Sequence, residues 1–473
     1  MTSVPAPTTW TGAGAAQARR SRVPDLVVLL FIFVFYTNLA VVLTRFHEVP
    51  HIVASGIAVL LLVPIVKYLV VERQPVVVTP VLPLVFVFLG ALFLSGTLSR
   101  EPDVVRGAID LYLTEGLILY LLVSNAVRTT RMLTMVVWTL IAAAGLLGAL
   151  SVVQELTHTY ENDYAGFAQV DRLDVGGNFN IAPDTAEEKE LRPRLGGPLG
   201  SENRYAQILA VIFPFALIRA FRDPRRRFRL LGAGASILIA SGVILSFSRG
   251  AAVALAATIA LMVLLRELRL RHVVLALAGL TAVVLIAFPH YLIRISSLEK
   301  ITALSTAETS TDGPDSAIVG RQTENLAAWN TFLDHPLTGV GPGVYFHEYS
   351  REYANRLGIR YLESDRRGHS LYLEMAADIG MIGFAAFVAM VGSALVLLHR
   401  AMRYWRRLDP ERSMIASSIF FGLVAYLASA AFLHLSYQRY FWIVLALASS
   451  AVWALRRDQA EGVPEHEAAG AAR

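Results

Sequence analysis

The 473-residue chain contains no cysteine. That absence excludes thiol catalysis, disulfides and cysteine-ligated metals, and it leaves the redox compartment open. Charge is scarce as well: Asp, Glu, Lys and Arg make up 17% of the residues, against 55% hydrophobic. With apolar runs recurring nearly end to end, this is the composition of a membrane protein and not of a string of soluble domains. There is no HExxH and no histidine cluster, so nothing in the sequence calls for a metal. The glycine-rich "GVGPG" at 339–343 lacks the lysine and the strand-helix setting of a nucleotide-binding loop. No sequence repeat is present. The formal charge is +5, but the arginines sit in short connections and form no basic face, which argues against nucleic acid.

What is present predicts an all-α polytopic membrane protein. Taking ~20 residues per span gives about twelve transmembrane helices. They fall at 25–44, 52–71, 79–98, 109–125, 132–154, 203–221, 230–247, 250–265, 272–291, 370–398, 413–434 and 437–455. The first run is too long for a signal-peptide core, has no small-residue cleavage pattern and is followed by more spans, so it reads as a retained helix. Alternate connections are rich in arginine, as in "RDPRRRFR" at 222–229 and "HRAMRYWRRLDPER" at 399–412. The positive-inside rule assigns these connections and both termini to the cytoplasm. Residues 1–24 and 458–473 are expected to be disordered cytoplasmic ends of a transmembrane domain over 25–457.

Two long loops, 155–202 and 292–369, then face outward. In the second, Leu326, Trp329 and Leu333 recur at helical spacing, which predicts an amphipathic helix against the mouth of the bundle.

Ionisable groups inside a lipid-spanning helix are costly and usually mark a working site, which draws attention to "RRGHSLYLEMAADIGMIG" at 366–383. His369 ends the outward loop, and a neutral imidazole there is the best available general base; a structural interfacial histidine is the alternative. If the helix includes it, Tyr372 shares its face, whereas Glu374 and Asp378 share another at i and i+4. The two carboxylates are therefore expected to orient partners or cap cations and not to relay to His369.

Arg249 in "SFSRGAAVA" lies at an outward turn, flanked by the hydroxyls of Ser246 and Ser248, with Gly250 permitting close approach. Two donors and a fixed cation suit an anion. Arg321 in "VGRQTENLAAW" opens the amphipathic segment, where helix N–H groups could join it around a phosphate; a loop salt bridge is the alternative. The "GVGPG" turn could add a phosphate-holding nest. Arg439 in "HLSYQRYFW" lies at another outward turn, where snorkelling to headgroups is the simpler account.

"RLGGPLGSENRYAQIL", "SFSRGAAVAL", "GRQTENLAAWNTFLDHPLTGVGPGVYF" and "HSLYLEMAADIGMIGFAAF", in this order, resemble the signatures of the O-antigen ligase and polymerase superfamily over roughly residues 190–400. The resemblance implies a metal-independent, inverting GT-C glycosyltransferase with no cofactor, at the outer face of the bacterial cytoplasmic (inner) membrane. Its donor would be a glycan on undecaprenyl diphosphate, and its acceptor lipid A core, a protein or another glycan or lipid. By the same resemblance His369 would take the acceptor proton, and Arg249 and Arg321 would hold the diphosphate. Asn203 in "GSENRYA" matches the family asparagine at the start of that span. Asp378 fits the acidic position two residues before the family glycine, here Gly380. Where the family often has His-Asn, this chain has His369-Ser370. A polymerase joining lipid-linked repeats would use the same chemistry as a ligase. A secondary transporter shares the helix count but should show related halves, which this chain does not. A surface-glycan sensor would leave the histidine and arginines unexplained as a set.

Overall fold

The computed structural model describes residues 23–50, 56–171, 194–272, 274, 316–359, 361–362, 364–433 and 439–461. In chain order these form α1 (Val23–Tyr36), α2 (Leu39–Phe46), α3 (Val59–Val71), α4 (Leu82–Thr97), α5 (Pro102–Ala126) and α6 (Thr130–Thr157). Strands β1 (Gln169–Asp171) and β2 (Arg194–Gly197) follow, then α7 (Glu202–Arg222), α8 (Arg226–Leu245) and α9 (Arg249–Leu264). The last part holds α10 (Ser316–Asp334), α11 (Ser350–Arg356), α12 (Leu371–Trp405), α13 (Pro410–Ala430) and α14 (Arg439–Glu461).

Burial follows from the sequence of each helix. α7 and α13 are apolar through their middles and are buried along most of their length. Helices of that kind belong in the interior. They pack on each other and on α8, α9 and α12, while α14 closes the core against α5 and α13. α8 and α12 bury a smaller share of their apolar surface and present the rest outward, as lipid-facing helices do. Helix starts carry local caps: Thr129 Oγ1 accepts from Met132 N at 3.1 Å, and Asp409 Oδ1 accepts from Arg412 N at 3.0 Å ahead of Pro410. These are ordinary N-cap solutions to unpaired amides.

The chain is a membrane protein, and the expected twelve spans are met in part. Among the described residues, six helices are long and apolar enough to cross a membrane, namely α5, α6, α7, α8, α12 and α13; the bent pair α1/α2 makes a seventh if it is one span. Every expected span except 272–291 meets a helical segment, and that one lies outside the described residues apart from 272 and 274. The shortfall comes from α3, α4 and α9, which are shorter than a full crossing, and from α14. The run 25–44 is not continuous either. Asn38 adopts a left-handed conformation with φ 57°, and the chain turns by 57° between α1 and α2. Apolarity persists through such a bend, so hydropathy does not register it.

Three further differences concern the loops and ends. The described part of 155–202 includes a two-stranded antiparallel sheet, β1 against β2, with Val170 opposite Leu195. The structure is thus mostly, not wholly, helical. The expected disordered tail from 458 begins inside α14, where Asp458 Oδ2 accepts from Arg412 Nε at 2.9 Å. The expected N-terminal tail 1–24 overlaps the start of α1 at Val23, and residues 1–22 and 462–473 lie outside the described residues.

α12 is broken at Gly380, with φ 62° and ψ −168°. The break frees the carbonyls of Ala377 and Asp378 and the amides of Met381 and Ile382, which would have bonded each other in a continuous helix. The segment 336–341 takes up all four. Val340 N donates to Ala377 O at 3.0 Å and Gly341 N to Asp378 O at 2.8 Å. Met381 N donates to Pro336 O at 2.8 Å and Ile382 N to Leu337 O at 3.2 Å. Within a bilayer such groups must find protein partners, so strap and break are one unit.

Candidate functional site

The strap consumes the glycines of "GVGPG". A Cβ on Gly380 would sit 2.4 Å from the carbonyl of Leu337, and one on Gly339 2.4 Å from the backbone of Asp378. Both have positive φ, so only glycine fits at either place. The amides that a phosphate nest would need are therefore spent within the protein, Gly339 N on His335 O and Val340 N and Gly341 N on α12, and the nest reading is replaced by a structural one. Asp378 is also committed. Its carboxylate accepts from Tyr345 N at 3.0 Å and from the Gly343 amide, which caps the helical turns leading to α11.

His369 does not belong to α12. Ser370, with φ −147°, is the N-cap, so the shared face expected for His369 and Tyr372 does not exist. The Tyr372 hydroxyl instead donates to Leu427 O on α13 at 2.6 Å. The imidazole Nε2 lies 2.9 Å from Glu324 Oε2, while Nδ1 is covered and has no hydrogen-bond partner. Glu324, only 2% exposed, was not singled out from the sequence. It follows Arg321 by three residues on α10, and residues so spaced lie on one helix face. The His369 contact therefore sets the imidazole beside the turn that carries Arg321.

α10 packs the opposite way from expectation. Trp329 is 44% and Leu333 54% exposed, whereas Thr323, Glu324, Ala327, Ala328 and Thr331 are buried. Small side chains allow close approach, and a Cβ on Gly368, just before α12, would lie 3.7 Å from Ala328 Cβ. The signal that could have revealed Glu324 is that stripe of alanine and threonine.

Beside this contact, Arg367 Nη1 donates to Glu374 Oε1 at 2.9 Å, and its guanidinium lies 4.7 Å from the Phe346 ring. Glu374 Oε2 is buried with no partner. These residues line a cavity of about 580 Å³ between α5 and the start of α12, with Asp103, Tyr112, His347, Arg367, Glu374 and Asp378 as its polar groups.

Arg249 opens α9 directly after the N-cap Ser248, whose Oγ accepts from Ala251 N at 3.4 Å and donates to Asn203 Oδ1 at 2.8 Å. Asn203 Nδ2 in turn donates to Glu202 Oε1 at 2.7 Å, and Arg194 Nη1 pairs with the same oxygen at 2.8 Å. The Arg249 turn and the His369 segment meet through the end of α13. A Cβ on Gly250 would lie 2.8 Å from Phe432 Cβ, and Leu371 N donates to Leu433 O at 2.8 Å. Arg439 is drawn elsewhere. Its Nη2 donates to Asn38 Oδ1 at 2.9 Å and its Nη1 lies 4.0 Å from Glu115, which ties α14 to the α1/α2 bend. Thus His369 is joined to the helix of Arg321, and Ser248 to Asn203. Glu374 and Asp378 serve Arg367 and backbone amides, and Arg439 serves the fold.

Residues 234–388 match the family model described as O-Antigen ligase. The chain carries a domain of the O-antigen ligase superfamily. A search of curated proteins gives no match. The O-antigen ligase domain spans Ser248, Arg249, Arg321, Glu324, His369, Glu374 and Asp378, whereas Asn203 and Arg439 lie outside it. The match is to a family of ligase- and polymerase-like glycosyltransferases. Among the described residues no group of three His, Asp or Glu is arranged to hold a metal ion.

Proposed function

We propose that this protein is an O-antigen ligase-like glycosyltransferase that moves a glycan from undecaprenyl diphosphate to an acceptor hydroxyl at the outer face of the bacterial inner membrane. The observation that carries the reading is the buried Glu324 carboxylate 2.9 Å from His369 Nε2, on the helix of Arg321 and inside the family segment. A carboxylate on one imidazole nitrogen fixes the tautomer and leaves the lone pair on the other. Glu324, 2.9 Å from Nε2, orients the imidazole and balances its charge, and the imidazole takes the proton from the acceptor hydroxyl. As the hydroxyl oxygen bonds the anomeric carbon, the bond from that carbon to the phosphate oxygen breaks and the electron pair leaves on the diphosphate. Arg249 and Arg321 stabilise that charge; a contact of this type is worth ~3 kcal/mol in a transition state. No metal enters this scheme.

The test is a reconstituted transfer assay with undecaprenyl-diphosphate-linked glycan, comparing the wild type with His369→Ala, Arg249→Ala and Arg321→Ala. Near-complete loss in the histidine variant, at normal expression, is the expected result. Full turnover in that variant removes it as the base.

A further inference from the structure

The 580 Å³ cavity beside Arg367 is separate from the proposed diphosphate groups, since neither Arg249 nor Arg321 lines it. Its size is that of a small-molecule site, ~300–1,000 Å³. Its apolar lining comes from both helices, Val104 and Leu111 of α5 and Leu371 and Met375 of α12. Its charged lining is three carboxylates, of Asp103, Glu374 and Asp378, against the single guanidinium of Arg367, with the imidazole of His347 beside them. Even with Glu374 protonated, two carboxylates face one guanidinium, and a diphosphate would meet net repulsion. Asp378 is already satisfied by backbone amides. Glu374 is not: it is 4% exposed, one oxygen is held by Arg367 and the other has no partner. An unpaired buried oxygen is expensive unless something hydrogen-bonds to it.

We infer that this cavity binds a neutral, hydroxyl-bearing sugar, with Glu374 Oε2 bonding a ring hydroxyl and apolar residues such as Val104 and Leu111 covering the C–H face. Arg367, which lines the cavity, is separated from His369 by one residue, so the cavity adjoins the segment that carries the imidazole. Its assignment as the acceptor rests on the transferase reading above; its selectivity for neutral sugars does not.

Gly107 offers a clean block. It lines the cavity, and a Cβ there meets nothing within 4 Å, so Gly107→Leu fills space without displacing the fold. Full-length protein in lipid nanodiscs is examined by saturation-transfer NMR with methyl α-glucoside, glucosamine and glucuronic acid, and separately for binding of undecaprenyl diphosphate. The expected result is saturation transfer to methyl α-glucoside exceeding that to glucuronic acid. Gly107→Leu should abolish it and Glu374→Gln should weaken it about tenfold, with undecaprenyl diphosphate binding unchanged in both. That unchanged binding also shows that the variants are folded. Glycoside contact surviving Gly107→Leu, or glucuronic acid being preferred, overturns the inference while the transferase reading stands. Loss of undecaprenyl diphosphate binding in Gly107→Leu, at wild-type thermal stability, makes the cavity the donor site and also overturns it. If the wild type binds neutral glycosides as expected but His369→Ala transfers glycan normally, the sugar site stands and the proposed mechanism fails.

Discussion

The arginine-rich end of the bundle and the His369 end both hold buried carboxylates against guanidinium groups, yet they are built differently. At the arginine-rich end Glu411, Glu267 and Asp458 are each held by several donors from different parts of the chain. Glu411 accepts from Arg219 Nη2 at 2.6 Å and Thr134 Oγ1 at 2.9 Å. Glu267 is gripped by Arg222, Arg406 and Ser417, and Asp458 accepts from Arg412 Nε and Thr130 Oγ1. This network joins α6, α7, α12, α13 and α14 and the turn after α9. At the other end, Glu374 has one bound oxygen and one unpartnered, and His369 one contacted nitrogen and one without a hydrogen bond. A network whose members hold one another fixes a structure, whereas half-satisfied groups beside a cavity leave bonds for a ligand.

The comparison breaks most sharply at His369. His369→Ala should lower transfer by roughly 10²–10⁴-fold, the usual range for losing a general base, while thermal unfolding in detergent moves little. Glu324→Gln should lower kcat on the order of 10²-fold with donor KM unchanged, because it removes the group that fixes and balances the imidazole. Glu324→Asp should restore part of the rate, which loss of packing alone would not allow.

At the other end the effects should fall on stability. Glu267→Ala leaves Arg222 and Arg406 facing each other without their carboxylate and should cost ~3–5 kcal/mol. Turnover per folded molecule should stay close to wild type. Gly380→Ala forces a side chain into the strap at a backbone conformation open only to glycine, at roughly 2–4 kcal/mol. It should also loosen the cavity, read as faster hydrogen exchange at Val340 and Gly341. The smallest effect belongs to Trp329→Ser on the outward face of α10, with stability held within ~0.5 kcal/mol. A large loss there would mean that Trp329 is packed against protein after all.

The arginine-rich connections were legible as a topological signal, but not as a clamp. Charge counting sees the arginines; it cannot see that Arg219, at the end of one helix, meets Glu411 nearly two hundred positions away. The same limit applied to Glu324. Its neighbour Arg321 stood out as a cation before a helix, while the carboxylate hid on a face of alanine and threonine that reads as neither core nor surface.

Apolar run length and arginine placement determined by themselves that this chain enters a membrane as a helical bundle, because those properties depend only on local hydropathy. The glycines of 339–343 and Gly380 were equally visible in isolation. Only the tertiary structure decided that they belong to one another, that His369 stands before its helix and not on it, and that its partner is Glu324. Each of these is a hydrogen bond or contact between segments far apart in the chain, and local sequence carries no record of which distant group satisfies a freed amide or a buried carboxylate.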